Sequence, residues 1–286
     1  MRYERPESLK NATSLLAEAG GRAFVLAGGT DLLVSMKSDA FEADLIVDIK
    51  SIKGLDEIRE SAEGYTIGAA VSCAALGKNI SLKAAWPGVV EAANLIGSTQ
   101  IQARCTIVGN LCNASPAADS VPALVAAGAK AIIVGPSSSR IVPIEHVPVA
   151  PGKTSLGAGE IIEAIALNRR SPRSGDAYLR FIPRTEMDIA VVSAGINLTL
   201  DGRGTVQSAR IALGAVAPTV LLVEQAAEAI VGTKLDDAAL DKLADACSVA
   251  CQPINDKRGT IGFRKKVAGI LARRAARNAY NRAGGM

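Results

Sequence analysis

A pair of adjacent glycines makes the segment AGGTD, residues 27–31, a candidate for backbone chemistry. The segment follows the apolar run AFVL and precedes LLVSMK. Glycine lets peptide N–H groups approach a phosphate with no Cβ in the way, and Thr30 adds a hydroxyl donor. The spacing matches neither G-x-G-x-x-G nor G-x-x-x-x-G-K-[ST], the common nucleotide fingerprints. Taken alone, this segment fits a plain turn better than a phosphate-binding loop.

A second segment, CTIVGNLCNASPAAD, residues 105–119, combines neutral donors with a single carboxylate. Gly109 lies among Thr106, Asn110 and Asn113, and the segment ends at Asp119. Such donors suit a pyrophosphate and a polyol better than they suit acid–base catalysis. The alternative is a polar helix-capping loop, in which Asp119 caps the helix predicted for VPALVAAG.

Together the two segments resemble the FAD-binding subunit of molybdenum hydroxylases, the xanthine dehydrogenase and carbon monoxide dehydrogenase flavoprotein family. In that family, motifs similar to AGGTDLL and TIVGNLCNASPAAD lie on two subdomains that hold the FAD between them. The likeness also includes AYLRFIPRTEMDIAVVSAGINL and INDKRGTIGFRKKVAGILARRA, so it covers nearly the whole chain. AGGTDLL is closer to the purine, N-heterocycle and aldehyde branches of the family than to the carbon monoxide branch.

The resemblance implies an α+β fold with three parts. Two small α/β subdomains, of the vanillyl-alcohol-oxidase type, bind FAD, and a C-terminal α+β domain with an antiparallel sheet follows. The sequence pattern agrees, because strand and helix patterns alternate at first and the long strands IAVVSAGINLTL and TVQSARIALGAV flank the tight turn DGRG later. We expect the three parts to span residues 1–58, 59–175 and 176–286.

The resemblance also implies, position by position, which residues contact FAD. Gly28, Gly29 and Thr30 are expected at the pyrophosphate, and Ile162 and Arg180 near the flavin. The full expected set is Val25, Leu26, Ala27, Gly28, Gly29, Thr30, Asp31, Leu32, Thr106, Gly109, Asn110, Asn113, Asp119, Ile162 and Arg180. No catalytic residue and no metal ligand is assigned.

Two positions depart from the family pattern. Val108 stands where the family usually has a glycine, so the backbone there is less free. Arg180 stands where the family usually has a lysine; it keeps the charge but presents a planar fork. The loop VPVAPGKT, residues 147–154, also differs from the family and is a candidate for contact with a partner.

The implied role is electron transfer through non-covalent FAD. This chain would pass electrons from the [2Fe-2S] clusters of a small partner subunit to a terminal acceptor, while a large partner subunit holds the molybdenum cofactor. A dimer of such heterotrimers is expected. The alternatives are a non-catalytic nucleotide-binding module and a free-standing flavin oxidase, although the sequence offers no second group of titratable residues for a substrate site. His146, the one histidine, lies outside both motifs and is predicted to be a surface residue.

Composition bears on whether the protein spans a membrane, is exported or carries disulfides. The chain has 286 residues, 49% hydrophobic and 21% charged, and no apolar run near the roughly 20 residues of a membrane span. The N-terminus has no signal-peptide core, so we expect a soluble cytoplasmic protein. The five cysteines form no C-x-x-C pair and are expected to be reduced thiols.

The C-terminal segment is strongly basic. From Lys257 onward there are nine Lys or Arg and no acidic residue, within a net charge of +4. Phe263, Val267, Ile270 and Leu271 recur at helical spacing, which predicts a terminal helix docked by that stripe, with its basic face toward solvent or an acidic partner. No aromatic platform accompanies the charge, so nucleic-acid binding is not expected.

Overall fold

The computed structural model describes residues 1–38 and 41–285. Its N-terminal unit is a three-stranded parallel sheet in the order β1-β3-β2. The elements of this unit are β1 (Arg2–Glu4), α1 (Leu9–Ala19), β2 (Ala23–Leu26), α2 (Leu32–Lys37) and β3 (Leu45–Asp48). The helix α1 is capped at its start, where the Ser8 hydroxyl accepts a hydrogen bond from the N–H of Asn11, and Gly20, with φ 69°, follows its last residue. The glycine loop AGGTD therefore joins a strand to a helix.

The second unit is a five-stranded antiparallel sheet in the order β4-β5-β10-β6-β7. Six short helices connect β5 to β6, and a small hairpin precedes β10. The strands are β4 (Ile58–Ser61), β5 (Gly64–Gly68), β6 (Lys130–Val134), β7 (Ser139–Pro143), β8 (Pro148–Ala150), β9 (Lys153–Thr154) and β10 (Ile161–Asn168). The helices are α3 (Cys73–Lys78), α4 (Ile80–Ala85), α5 (Pro87–Ala93), α6 (Thr99–Gln102), α7 (Ile107–Cys112) and α8 (Ser120–Ala126). One continuous apolar core joins this unit to the first.

The third unit is a four-stranded antiparallel sheet in the order β11-β12-β13-β14, with helices packed against it. Its elements are β11 (Ser174–Phe181), β12 (Val192–Leu200), β13 (Val206–Gly214), β14 (Leu221–Leu222), α9 (Glu224–Glu228), α10 (Asp237–Ala250) and α11 (Ile261–Arg282). Most of the core of this unit forms a second cluster, while Tyr178 of β11 and Ala212 of β13 pack into the core of the first two units. No helix among the described residues is long and apolar enough to cross a membrane.

The C-terminal helix α11 is docked by a different face from the one predicted. Its buried face is mostly alanine, formed by Ala268, Ala272, Ala275, Ala276 and Ala279 together with Leu271. Of the predicted stripe, Phe263 and Ile270 remain 41% and 38% exposed. Small side chains are required because the helix backbone touches the sheet: a Cβ at Gly175 of β11 would overlap the Ala279 carbonyl oxygen. The predicted helix is confirmed. The predicted docking stripe holds at Leu271, which is buried, and at Val267, which is half-buried against the core, and it is wrong at Phe263 and Ile270.

Much of the basic charge of α11 is neutralised within the chain. Arg277 bonds to Asp237 of α10 at 2.6 Å, and Arg273 pairs with Asp241 of the same helix. Farther along, Arg282 pairs with a glutamate of α5. The predicted orientation of the basic face toward solvent or a partner therefore holds only for part of the helix.

Candidate functional site

The two glycine-containing loops lie directly against each other. A Cβ on Gly28 would overlap the carbonyl oxygen of Arg104 and lie 2.8 Å from Cα of Cys105, so only glycine fits there. A long hydrogen bond of 3.4 Å from the Asn113 amide to Asp31 also joins the loops. Residues separated by about 80 positions in the sequence thus form one surface. Both predicted motifs are available to a single ligand.

The first loop offers a row of free backbone donors. Among the described residues, the N–H groups of Gly28, Gly29, Thr30 and Asp31 donate to no protein acceptor. Gly29 has a φ of 76°, a left-handed conformation that favours glycine. Successive free N–H groups in a turn form a concave site for anions, since each N–H contributes a partial positive charge. The loop therefore fits the pyrophosphate of FAD.

The second loop is held in place by its own polar side chains. The Thr106 hydroxyl accepts a hydrogen bond from the N–H of Gly109 at 2.8 Å and so begins α7. The carboxamide oxygen of Asn110 accepts from the backbone N–H and the hydroxyl of Ser120, at 3.1 and 2.7 Å. These bonds fix the loop, and the Asn110 amide N–H groups, which donate to no other described residue, stay available to a ligand. Val108 lies inside α7 with a buried side chain, where the helical backbone does not require glycine.

A network that the sequence analysis missed supports the first loop from behind. The Lys50 ammonium donates to the carbonyl of Ala27 at 3.1 Å and to Asp48 at 2.7 Å. The Tyr3 hydroxyl donates to the other carboxylate oxygen of Asp48 at 2.5 Å. Burial tends to raise the pKa of Asp48, but the bonds from Lys50 and Tyr3 hold it below its usual value. An acid at the end of β3 and a lysine two residues later were the available signal, because parallel strands β2 and β3 end at the same edge.

Asp119 and Arg180 form a buried ion pair between the second and third units. Arg180 donates to Asp119 at 2.8 Å, and the Tyr178 hydroxyl bonds to the other carboxylate oxygen at 3.3 Å. Burial raises the pKa of Asp119, and the adjacent guanidinium opposes that rise. The Asp119 side chain makes no capping bond to α8, so the capping interpretation is wrong. Two predicted site residues are thus brought together, each as the other's partner.

The remaining predicted residues differ in how far their side chains are buried. Val25 and Leu26 belong to β2, and Leu32 begins α2; all three are half-buried. Ile162 is 1% exposed and lies in the core at a bulge of β10. His146 is exposed, as predicted. Among the described residues there is no group of three or more His, Cys, Asp or Glu that could hold a metal ion.

Comparisons with known proteins identify the family. Residues 1–168 match the model of the FAD binding domain in molybdopterin dehydrogenase, and residues 177–279 that of the CO dehydrogenase flavoprotein C-terminal domain. The carbon monoxide dehydrogenase medium chain of Afipia carboxidovorans is 35% identical over 98% of this chain and 97% of its own. A putative xanthine dehydrogenase FAD-binding subunit of Escherichia coli is 29% identical over 99% and 97%. A reconstituted CO dehydrogenase structure from Oligotropha carboxidovorans gives a TM-score of 0.94 at 34% identity, covering 99% of this chain and 98% of that chain.

The chain therefore belongs to the family of FAD-binding domains in molybdopterin dehydrogenases. It is an FAD-binding oxidoreductase subunit of the molybdenum hydroxylase class, and the predicted fold class is confirmed. AGGTDLL was expected to be closer to the purine, N-heterocycle and aldehyde branches of the family than to the carbon monoxide branch. This expectation gains no support, because the relative at 35% identity is a carbon monoxide dehydrogenase medium chain. The expected boundary at 175/176 falls between the two matched ranges, and the three-part division stays a prediction.

Proposed function

We propose that this chain is the electron-transfer subunit of a three-part molybdenum hydroxylase, passing electrons through FAD to a terminal acceptor. The free N–H groups of residues 28–31, packed against the second loop at Gly28, are the observation that carries the proposal. Backbone donors and amides bind and orient a cofactor without taking part in proton transfer. When bound, FAD supplies the redox chemistry, and the protein supplies binding, orientation and electrostatics.

The predicted residues would contact different parts of FAD. Gly28, Gly29 and Thr30 would bind the pyrophosphate with their N–H groups, because those donors are not used within the described residues. Gly109 and Asn110 would close the site from the second loop. Asp119 and Arg180 act on the flavin side as a pair of nearly cancelling charges, which fixes the position of β11 relative to the second loop. Val25, Leu26, Ala27, Asp31, Leu32, Thr106, Asn113 and Ile162 complete the proposed set.

The proposed partners are a large subunit with the molybdenum cofactor and a small subunit with two [2Fe-2S] clusters. Carbon monoxide dehydrogenase supports this arrangement, because the similar protein is by name its medium chain. A dimer of these heterotrimers in the cytoplasm is proposed. The five cysteines, all free thiols in the described part of the chain, fit a reducing compartment.

Spectroscopy of the purified chain and reconstitution test the proposal. The isolated chain should show flavin absorption that bleaches with dithionite, and it should oxidise no organic hydroxylation substrate. Adding both partner subunits should give substrate-dependent bleaching of the flavin. A colourless chain replete with nucleotide would instead support the nucleotide-binding module. Substrate turnover by the isolated chain at the rate of the complex would instead support a free-standing oxidase.

A further inference from the structure

Two of the five cysteines lie opposite each other beside the contact between the two loops. An antiparallel bridge pairs Ser72 with Thr106, so the next pair across it is Cys73 and Cys105. The N–H of Cys73 donates to the carbonyl of Cys105 at 2.8 Å. Directly opposite residues of an antiparallel pair have Cα atoms about 4.5–5.5 Å apart and side chains on one face. A disulfide needs a Cα separation of about 4.4–6.8 Å, so the backbone already holds these two cysteines within bonding range.

The two thiols differ in burial and in acidity. Cys73 is fully buried, at 0%, whereas Cys105 is 4% exposed. A hydrogen bond between the two thiols lowers the pKa of Cys105, while the same bond and burial raise the pKa of Cys73. Elsewhere in the chain, burial raises the pKa of Cys112 and Cys247 to about 12 and that of Cys251 to about 11. Since the thiolate is the nucleophile, Cys105 is the thiol of this chain best prepared to react.

We propose that Cys73 and Cys105 form a redox pair, which peroxide closes to a disulfide and which thereby weakens the binding of FAD. The inference rests on the proposed function, because it uses the proposed placement of FAD at the two loops. In the reduced state the pair packs as two small apolar side chains, the ordinary role of buried cysteines. The added property is that the two nucleophilic atoms face each other.

The oxidation takes two steps. In the first, the Cys105 thiolate attacks hydrogen peroxide, so that an S–O bond forms, the O–O bond breaks and hydroxide leaves a sulfenic acid on Cys105. In the second, the Cys73 sulfur attacks the sulfenic sulfur, so that the S–S bond forms, the S–O bond breaks and water leaves. Together the two thiols lose two electrons and two protons, and one peroxide becomes two waters. A thiol reductant reverses the change.

Cys105 lies at the point where the two loops touch. A Cβ on Gly28 would lie 2.8 Å from the Cα of Cys105, so the glycine backbone packs directly against it. The next residue, Thr106, begins α7 by accepting a hydrogen bond from the N–H of Gly109. A disulfide draws its two sulfurs to about 2.05 Å, far inside any non-bonded contact. Cys105 must therefore move relative to Cys73, and this movement changes the spacing of both loops.

Peptide mapping of the full-length chain tests the bond itself. The chain is treated with hydrogen peroxide, both with FAD bound and as the apoprotein, and is mapped by mass spectrometry without reduction. A peptide joined through Cys73 and Cys105 should appear, and dithiothreitol should separate it. The matched control Cys247→Ala removes a buried thiol of the third unit and should form the same link. Absence of the joined peptide, or a disulfide that involves a different cysteine, would overturn the inference.

Titration with FAD, followed by flavin fluorescence, tests the effect on the cofactor. Oxidation should raise the Kd for FAD at least about 10-fold, the effect of losing one hydrogen bond to a phosphate. Dithiothreitol should restore the original Kd. Cys105→Ala should bind FAD as the reduced parent does and should not respond to peroxide, whereas Cys247→Ala should respond in full.

The reduction potential of the pair gives a second readout. Because coupling between two equilibria is reciprocal, FAD must oppose the disulfide by the same factor as the disulfide opposes FAD. Saturating FAD should therefore raise the reduction potential of the pair by about 30 mV for a 10-fold change in Kd. A disulfide that forms without changing the Kd or the potential would overturn the inference and leave the proposed function intact. A reduced parent chain that binds no FAD would refute the proposed function, and this inference with it.

Discussion

Replacing Gly28 by alanine should separate the two loops and weaken FAD binding. The new Cβ would overlap the Arg104 carbonyl oxygen and lie 2.8 Å from Cα of Cys105, whereas ordinary contacts begin near 3.4 Å. Both neighbours are backbone atoms, so no side chain can rotate out of the way. The loops must therefore move apart by more than half an ångström, which carries the donors of the first loop away from the second.

The size of the effect follows from overpacking and from lost hydrogen bonds. Overpacking of this kind costs about 1–3 kcal/mol of stability, and each kcal/mol lowers the melting temperature by roughly 2–4 °C in proteins approaching this size. Losing one hydrogen bond to a charged phosphate costs about 1.5–3 kcal/mol, which raises the Kd for FAD roughly 10- to 150-fold. Titration of the apoprotein by flavin fluorescence measures that Kd, and thermal unfolding measures the stability.

Two further glycines serve as controls. Gly202→Ala should behave as the parent, because no atom lies within 4 Å of its added Cβ. Gly109→Ala meets only the Thr106 hydroxyl oxygen, at 3.0 Å, and lies in a helix that alanine favours. A loss of FAD affinity in this variant without loss of stability would therefore report the approach of the cofactor itself. If Gly28→Ala keeps the parent's melting temperature and Kd, the proposed packing of the two loops is refuted.

Three more predictions concern charge and covalency. Asp119→Asn should lower stability by about 3–5 kcal/mol in thermal unfolding, because it leaves Arg180 charged and buried without its partner; an unchanged melting temperature would contradict this role. Since the folded pKa of Asp48 is lowered, its contribution with Lys50 should be complete above about pH 4 and be lost as pH falls further. Melting temperatures between pH 2 and 6 should therefore converge for parent and Asp48→Asn at the acid end, and a gap that widens there would count against the network. Acid precipitation should release all the flavin, because the AGGTD loop has no His or Cys to form a covalent link and His146 lies outside both loops; colour retained in the pellet would show a covalent link.

The glycine loops could be predicted from the sequence because their signal is local. AFVL is a short apolar run, and the two glycines that follow it can only end the strand and turn the chain. The expectation that both loops hold one cofactor came from the family resemblance, since no pattern in either segment specifies the other, and the direct contact between the loops was not predicted. The structure supplies the physical reason for it at Gly28, where only a hydrogen atom fits beneath the Arg104 carbonyl.

Long-range polar pairs and the docking of α11 could not be predicted from the sequence. Tyr3 and Asp48 are 45 residues apart, and Asp119 and Arg180 are 61 apart, so neither pair leaves a local pattern. The stripe of large side chains on α11 was a misleading signal. Hydrophobic periodicity favours large residues, whereas the close approach of this helix to β11 at Gly175 selects alanine.

The ion pair between Asp119 and Arg180 makes the FAD-binding part depend on the C-terminal domain. Asp119 precedes α8, and α8 packs on the third unit so closely that a Cβ at Gly195 of β12 would press on the Pro122 carbonyl. A carboxylate buried at this contact is tolerated only while Arg180 of β11 is present, since burying an unpaired charge is costly. The loop that ends at Asp119 also carries Gly109, so the C-terminal sheet fixes one wall of the proposed cofactor site. We therefore expect the two family domains of this chain to act as a single unit in holding FAD.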